Sequence, residues 1–313
     1  MNPTNYDIII IGSGAAGLTA GIYTSRSRLK TLLIEKSLPG GLTATTDWVE
    51  NYPGFPEGVN GMDLMNRIEK QAKIFGVEFI NEEAMNLKLH GEKIEVQTDK
   101  IKYNTYALIV ASGSSYKKLD IPGEEEFLGR GVSYCATCDG PLFRDRDVVV
   151  VGGGDQAVEE GLFLTKFCQK VTLIHRRNRF RAAQILQERA KANPKVEFFM
   201  DSVVTGIFGK DKVEGIKVKN VKTGNEIKVT KDGIFIFIGT EPNTKFLQGL
   251  INMDEAGYII TDDNMKTSVN GVFACGDVRK KLLRQIITAC GEGATAAVAA
   301  RHYVEELKGI EYR

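Results

Sequence analysis

The chain has 313 residues, a length suited to about two domains, and its 42% hydrophobic and 26% charged content supports packed cores rather than disorder. Its 41 basic and 40 acidic side chains leave a formal net charge of +1, which excludes a general attraction to nucleic acid or to an anionic membrane.

The apolar opening "YDIIIIG" is too short for a membrane span and carries no basic flank or cleavage site. It predicts a buried parallel strand in a cytoplasmic protein, where a lasting structural disulfide does not persist. Next comes "GSGAAG", with Gly12, Gly14 and Gly17 making a tight turn that opens a helix. Such glycines let the backbone approach a pyrophosphate, and the helix N-terminus offers free N–H groups to its charge. The strand "KTLLIEK" then ends in Glu35, roughly 20 residues on, where an acid accepts hydrogen bonds from an adenosine ribose. Strand, turn, helix, strand and acid stand in order, and the unit suits FAD.

Further along, "SYCATCDG" puts Cys135 and Cys138 two residues apart, with Asp139 following. The pair is open to three readings: a metal clamp, a lasting disulfide, or a disulfide made and broken in turnover. A zinc site needs a second close pair or nearby histidines; His90, His175 and His302 are scattered, so no metal site is expected. Cys168, Cys275 and Cys290 read as small apolar packing residues.

The nucleotide pattern then returns in "DVVVVGGGDQAVEEG", with Gly152, Gly154 and Ala157 at the three key places. The strand after it, "KVTLIHRR", brings His175 to the offset that Glu35 holds in the first copy, followed by Arg176 and Arg177 and then by Arg179 and Arg181. An acid there would repel a ribose 2′-phosphate, whereas guanidinium forks bind one bidentately, so this copy predicts NADPH. Near the C-terminus "GVFACGDV" predicts a strand ending at Gly276 and Asp277, whose carboxylate suits a ribityl hydroxyl. A helix beginning near Gln285 would aim its positive end at a flavin ring.

With "GSGAAG", "PGG…VENYPGF", "IPGEEEFLGRGVSYCATCDG", "GGGDQAVEE", "HRRNRFRA", "GVFACGDV" and "RQIITACGEG" in this order, the chain resembles the low-molecular-weight thioredoxin reductases over nearly its full length. The resemblance implies an α/β protein of two Rossmann-like, three-layer ββα domains. The NADPH domain (116–245) would be inserted into a discontinuous FAD domain (1–115 and 246–313), with hinges at "ASGSSY" and "IGTEPN". It also implies the activity. Electrons pass from NADPH to FAD, to a Cys135–Cys138 disulfide and on to thioredoxin or a thioredoxin-like protein, in a homodimer. Cys138 would face the flavin, Cys135 would attack the partner and Asp139 would move the proton.

By matching motif, Gly12, Ser13, Gly14, Ala16, Gly17, Glu35, Gly41, Thr46, Asn51, Asp277, Arg284, Gln285 and Ile286 would hold FAD. Gly152, Gly154, Asp155, Gln156, His175, Arg176, Arg177 and Arg181 would hold NADPH. Five positions depart from the family pattern: Leu42 stands where glutamine is common, Gln156 where serine or threonine is, Cys275 where alanine is, and Ser112 and Ser114 alter the usual hinge. Gln156 would crowd the NADPH pyrophosphate and gives the best support to a reductase fed by ferredoxin instead; the basic cluster opposes that rival. The reductase of a peroxidase system is a second alternative, but it carries an extra N-terminal disulfide domain, and here the nucleotide fold begins by residue 6.

Overall fold

The computed structural model describes residues 4–46 and 48–310. The chain divides into two compact units, Met1–Ser115 with Glu241–Arg313, and Tyr116–Thr240.

The first unit opens with β1 (Thr4–Ile11), α1 (Ala15–Arg26) and β2 (Thr31–Glu35), followed by α2 (Gly61–Ile74) and β3 (Glu78–Asn81). A meander of β4 (Ala84–His90), β5 (Lys93–Thr98) and β6 (Lys102–Val110) follows. Strand order is β3-β2-β1-β6-β5-β4, parallel from β3 through β6 and antiparallel through the meander. β1 reads as an unbroken apolar run because both of its faces are covered. Ile8 and Ile10 pack among helical residues such as Leu18 and Ala297, while Ile9 and Ile11 pack on the opposite side with Val96 and Val278. Each such side chain contributes roughly 1.5–3 kcal/mol on full burial.

The connection β7 (Ser114–Tyr116) leads into the second unit, which begins with β8 (Val132–Ser133) and α3 (Ala136–Asp139). A second βαβ unit follows: β9 (Asp147–Gly152), α4 (Asp155–Leu164), β10 (Lys170–Ile174), then α5 (Gln184–Ala192) and β11 (Val196–Phe199). The antiparallel strands β12 (Ser202–Gly209), β13 (Val213–Asn220) and β14 (Glu226–Thr230) form their own sheet, and β15 (Gly233–Phe237) returns to the parallel one. That sheet has the order β11-β10-β9-β15-β8. β9 repeats the logic of β1: Val148 and Val150 face the helices, and Val149 and Val151 face the three-stranded sheet.

The chain leaves through β16 (Thr240–Pro242), which pairs with β7. Ser112 Oγ donates to the Asn243 carbonyl at 2.8 Å, and Asn243 Nδ2 donates back to the Ser112 carbonyl at 2.9 Å. The unusual hinge serine is therefore a tie between the outgoing and returning chain. Finally β17 (Val272–Ala274) adds to β6 in parallel, and the long α6 (Ile286–Lys308) packs along α1. The approach is so close that any side chain at Gly293 would collide with the Ala16 carbonyl. The carboxyl ends of β1, β6 and β17 and the N-termini of α1 and α6 thus meet at one edge of the sheet, the usual ligand position in such folds.

Candidate active site

In the first unit the turn after β1 is shaped by close backbone approach. Gly12 adopts φ +101°, and a side chain there would strike the Ala111 carbonyl. Gly14 behaves oppositely. It N-caps α1 with no side-chain cap, and the position its Cβ would take has nothing within 4 Å. The N-terminus of α1 thus has open space beside it and no side-chain cap, the arrangement that receives a pyrophosphate in such turns. Gly41 closes in from the neighbouring loop, where a Cβ would lie 3.4 Å from the Gly14 Cα, and the Gly40 amide donates to the Ser13 carbonyl at 3.0 Å.

Glu35 ends β2 beside this turn. Its Oε2 accepts the Ser13 amide and hydroxyl, both at 2.8 Å, and its Oε1 accepts those of Ser37 at 2.9 and 3.0 Å. Burial pushes this carboxyl up, but the four donors of Ser13 and Ser37 outweigh it and hold the group below the ordinary carboxylate range. Glu35 and Ser13 are residues the sequence singled out, and the structure joins them directly; Ser37, for which spacing carries no signal, joins them as well.

The far side of the site comes from the C-terminal segment. Asp277 follows β17, and its Oδ1 is buried and faces Lys281 Nζ at 3.1 Å. Arg284 stacks 4.0 Å above the Tyr258 ring, with its Nε also buried and unpartnered. Gln285 caps α6, exchanging hydrogen bonds with Thr288, and accepts the Asn51 side-chain amide at 3.0 Å. Two residues distant in sequence, Asn51 and Gln285, are thereby joined. Ile286 packs partly buried in the small cluster of Val49, Val59 and Leu64. Thr46 donates to the Leu42 carbonyl at 3.5 Å, so Leu42 serves through its backbone. The open space beside Gly14, the partly exposed carboxylate of Asp277 and the buried Arg284 Nε, which has no hydrogen-bond partner among the described residues, fit a flavin dinucleotide. The buried thiols have other roles: Cys168, Cys275 and Cys290 are free and buried. Burial pushes Cys168 up to about 11, and Tyr52, which donates to Cys290 at 3.7 Å, is pushed up to about 12, chiefly by burial.

The second unit holds the other dinucleotide turn and the cysteine pair. Gly152 adopts φ +155° against the Phe237 carbonyl, while the space beside Gly154 is open, as at Gly14. Asp155 does not point into that opening; its Oδ1 accepts the Ala183 amide at 2.6 Å. The Arg181 amide donates to the Gly153 carbonyl at 2.7 Å. Together these bonds sew the basic loop onto the glycine turn. Arg176, Arg177, Arg179 and Arg181 are all exposed, and among the described residues none has an ion-pair partner. His175 is buried, stacks on Phe180 with ring centroids 5.4 Å apart, and leaves Nε2 without a partner. Burial, then the charges of Arg181, Arg176 and Arg177, holds its pKa below the usual histidine value. Four unpaired guanidinium groups around a neutral imidazole fit a phosphorylated ribose.

Cys135 and Cys138 form a disulfide. Cys135 is the N-cap of α3, its Sγ accepting the Cys138 amide at 3.1 Å, and Cys138 is the more exposed of the two. Asp139 closes the short helix, half-buried. Gly140 rests on Leu164 and Phe163, which seats α3 on the helix that carries the dinucleotide turn. The preceding Tyr134 donates to the buried Glu124 at 2.5 Å and stacks on Tyr116. Among the described residues no group of three His, Cys, Asp or Glu side chains could hold a metal ion, and no helix is long and apolar enough to cross a membrane.

Comparison with known proteins is consistent with this geometry. The sequence pattern of the family described as pyridine nucleotide-disulphide oxidoreductase matches residues 6–293. A thioredoxin reductase of Bacillus subtilis (strain 168) is 48% identical over 304 residues, covering 97% of this chain and 96% of the relative. A crystal structure of Lactococcus lactis thioredoxin reductase superposes with a TM-score of 0.94 at 47% identity, covering 96% of this chain and 99% of that one. Thioredoxin reductase from T. acidophilum gives 0.91 at 33% identity, over 97% and 99%.

Proposed function

The chain belongs to the pyridine nucleotide-disulphide oxidoreductase family, in its thioredoxin reductase branch, and from that premise we propose that it takes electrons from NADPH through bound FAD and delivers them to thioredoxin or a thioredoxin-like protein. The observation that carries this reading is the redox pair's seat. The Cys135–Cys138 disulfide lies in the second unit, with α3 on α4, in the same unit as the arginine-rich turn.

In the proposed assignment Gly12, Ser13, Gly14, Ala16, Gly17 and Gly41 receive the FAD pyrophosphate, and Glu35 its adenosine ribose. Asp277 takes the ribityl chain; Thr46, Asn51, Arg284, Gln285 and Ile286 border the ring. Gly152 and Gly154 frame the NADPH pyrophosphate, with Asp155 holding the adjoining loop through the Ala183 amide, Gln156 drawn aside onto Tyr116, and His175, Arg176, Arg177 and Arg181 around the 2′-phosphate. When bound, the flavin accepts a hydride from the nicotinamide and gives two electrons to the disulfide. The cysteines then act as dithiol. The Cys138 amide, aimed at Cys135 Sγ, stabilises a thiolate on Cys135, which attacks one sulfur of the partner's disulfide. Cys138 next attacks Cys135 Sγ, re-forming the disulfide and releasing the partner as a dithiol. Asp139 accepts the proton that Cys138 loses and returns it to the departing thiolate.

NADPH rather than ferredoxin as donor is supported by the four exposed arginines and by Gln156, whose Nε2 is engaged on Tyr116 and not over Gly154. The proposed assembly is a homodimer, supported by the outward face of α6. There Ile287 and Val298 stand exposed, and Tyr23 and Val298 line a cavity of about 530 Å³. The proposed compartment is the cytoplasm, where a pair broken in each turnover is recharged.

The test is anaerobic stopped-flow reduction of the flavin by NADPH, NADH and reduced ferredoxin. NADPH is expected to bleach the yellow protein fastest by a wide margin. Equal rates with NADH would remove the phosphate role of the arginines, and a ferredoxin rate above both would replace the donor.

A further inference from the structure

The turn after β17 is held by a cluster of four charged side chains that the electron path leaves unused. Lys281 Nζ lies 3.1 Å from Asp277 Oδ1 and 3.3 Å from Glu292 Oε2, and its side chain is only 7% exposed. Glu292, on the second turn of α6, also accepts the Gly276 amide through Oε2 at 2.8 Å and meets Arg279 through Oε1 at 3.1 Å. Two cations and two carboxylates therefore sit together, with Arg279, Lys281 and Glu292 largely withdrawn from water. Arg279 Nε has no hydrogen-bond partner there among the described residues.

A buried ion pair is costly to desolvate and is weak evidence for stability. Apolar residues would hold α6 to the turn as well, so the cluster calls for another account. Its geometry supplies one. Glu292 fixes the backbone of the turn at Gly276, and the same carboxylate anchors the ammonium that faces Asp277. The Lys281 ammonium covers Asp277 Oδ1 at 3.1 Å, while the Asp277 side chain keeps 31% of its surface exposed. Oδ1 is itself buried, so the exposed edge of the carboxylate is Oδ2, oriented by the contact on its neighbour. Gly276 itself, at φ +78°, is pressed against α1, where a Cβ would come within 2.8 Å of the Ala16 Cβ. The cluster thus registers the Asp277 turn against the dinucleotide turn as well as against α6.

Building on the FAD assignment above, we infer that Lys281 and Glu292 are positioning residues for the flavin. They fix the Asp277 carboxylate through Oδ1 and leave Oδ2 for hydroxyl donors of the ribityl chain. The pair acts through Asp277, and its contribution depends on that carboxylate being present.

The test is the dissociation constant of FAD, read by quenching of flavin fluorescence as FAD is titrated into the deflavinated full-length chain. Lys281→Met is expected to weaken binding by roughly 10- to 100-fold, the value of one charge-assisted hydrogen bond. Lys281→Arg is expected to recover most of the loss. In an Asp277→Asn background, Lys281→Met is expected to cost no more than about 3-fold, since the group it positions has gone. Wild-type affinity in Lys281→Met, or an equal loss with and without Asp277, would overturn the inference. Should that variant not fold, Glu292→Gln decides on the same cycle, because it keeps an acceptor for the Gly276 amide while deleting the charge. A loss that vanishes in Asp277→Asn supports the pair, and unchanged affinity overturns it. A wild-type chain that takes up no FAD would instead defeat the cofactor assignment itself, and the inference with it.

Discussion

Gln156 donates from Nε2 to the hydroxyl of Tyr116 at 3.3 Å, which turns the longest side chain of the α4 N-terminus away from the open space beside Gly154. The sequence alone suggests a clash between this glutamine and a pyrophosphate; the structure removes it by giving the side chain a partner.

Removing that partner should expose the clash. Tyr116→Phe is expected to weaken NADPH binding several-fold, by freeing Gln156 to swing over the turn. Gln156→Ser should bind NADPH within about 3-fold of the wild type, and the double variant should resemble Gln156→Ser. Calorimetric titration of NADPH into the three variants decides. Equal weakening in Tyr116→Phe and in the double variant would show that Tyr116 acts by another route.

Arg176 and Arg177 stand exposed without ion-pair partners, so their removal should cost nucleotide discrimination and little stability. At roughly 1.5–3 kcal/mol for each charge-assisted hydrogen bond, Arg176→Ala with Arg177→Ala should cut the NADPH-to-NADH preference by about 10²- to 10⁴-fold. The readout is the ratio of kcat/KM for the two nucleotides. A ratio unchanged from wild type would transfer the recognition to other groups.

His175 should make the second unit acid-sensitive. Its folded pKa lies below the unfolded value near 6.5, because burial and three arginines disfavour the imidazolium. The unfolded chain therefore binds the proton first. The stabilising contribution is complete above about pH 6.5 and is lost as pH falls through the folded pKa. Thermal melting between pH 7.5 and 5 should show a steeper decline for the wild type than for His175→Gln. Parallel curves would mean that the ring is not held neutral.

The cysteine roles are separable. Cys138→Ser should retain flavin reduction by NADPH and abolish thioredoxin reduction, whereas Asp139→Asn should slow the thiol steps by about 10²-fold or more. Pre-steady-state thiol release with thioredoxin as substrate measures both. Continued turnover in Cys138→Ser would contradict the assigned path, and an unaltered rate in Asp139→Asn would make that acid structural.

Much of the architecture was legible because period and punctuation agreed. "YDIIII" and "DVVVV" are apolar without alternation, which only a strand covered on both faces sustains, and each runs straight into its glycine turn. The helix expected near Gln285 begins at Ile286 with Gln285 as its cap. The cysteine pair, which the resemblance implies is a disulfide, is bonded and lies at the first turn of α3. What could not be read were the pairings of individual polar atoms, at short sequence separation as well as long. Nothing in "EKS" says that Ser37 folds back on Glu35, and nothing in "CGEG" says that Glu292 reaches the Gly276 amide. Asp155 looked like a pyrophosphate neighbour and instead carries the Ala183 amide, a use that depends on where α5 begins. Periodicity reports which face is buried; it does not report which polar atom finds which.

The saturated carboxylate at the end of β2 has one more implication. On the FAD assignment proposed above, Ser13 and Ser37 already supply four donors, so an arriving adenosine would exchange a serine hydroxyl for one of its own rather than add a bond to Glu35. Exchange of that kind would give little tightness but strong exclusion, since a sugar bearing a 2′-phosphate sets a second anion against the carboxylate. Glu35 would then be less an anchor than a doorkeeper, stopping the soluble nucleotide from lodging where the permanent one belongs.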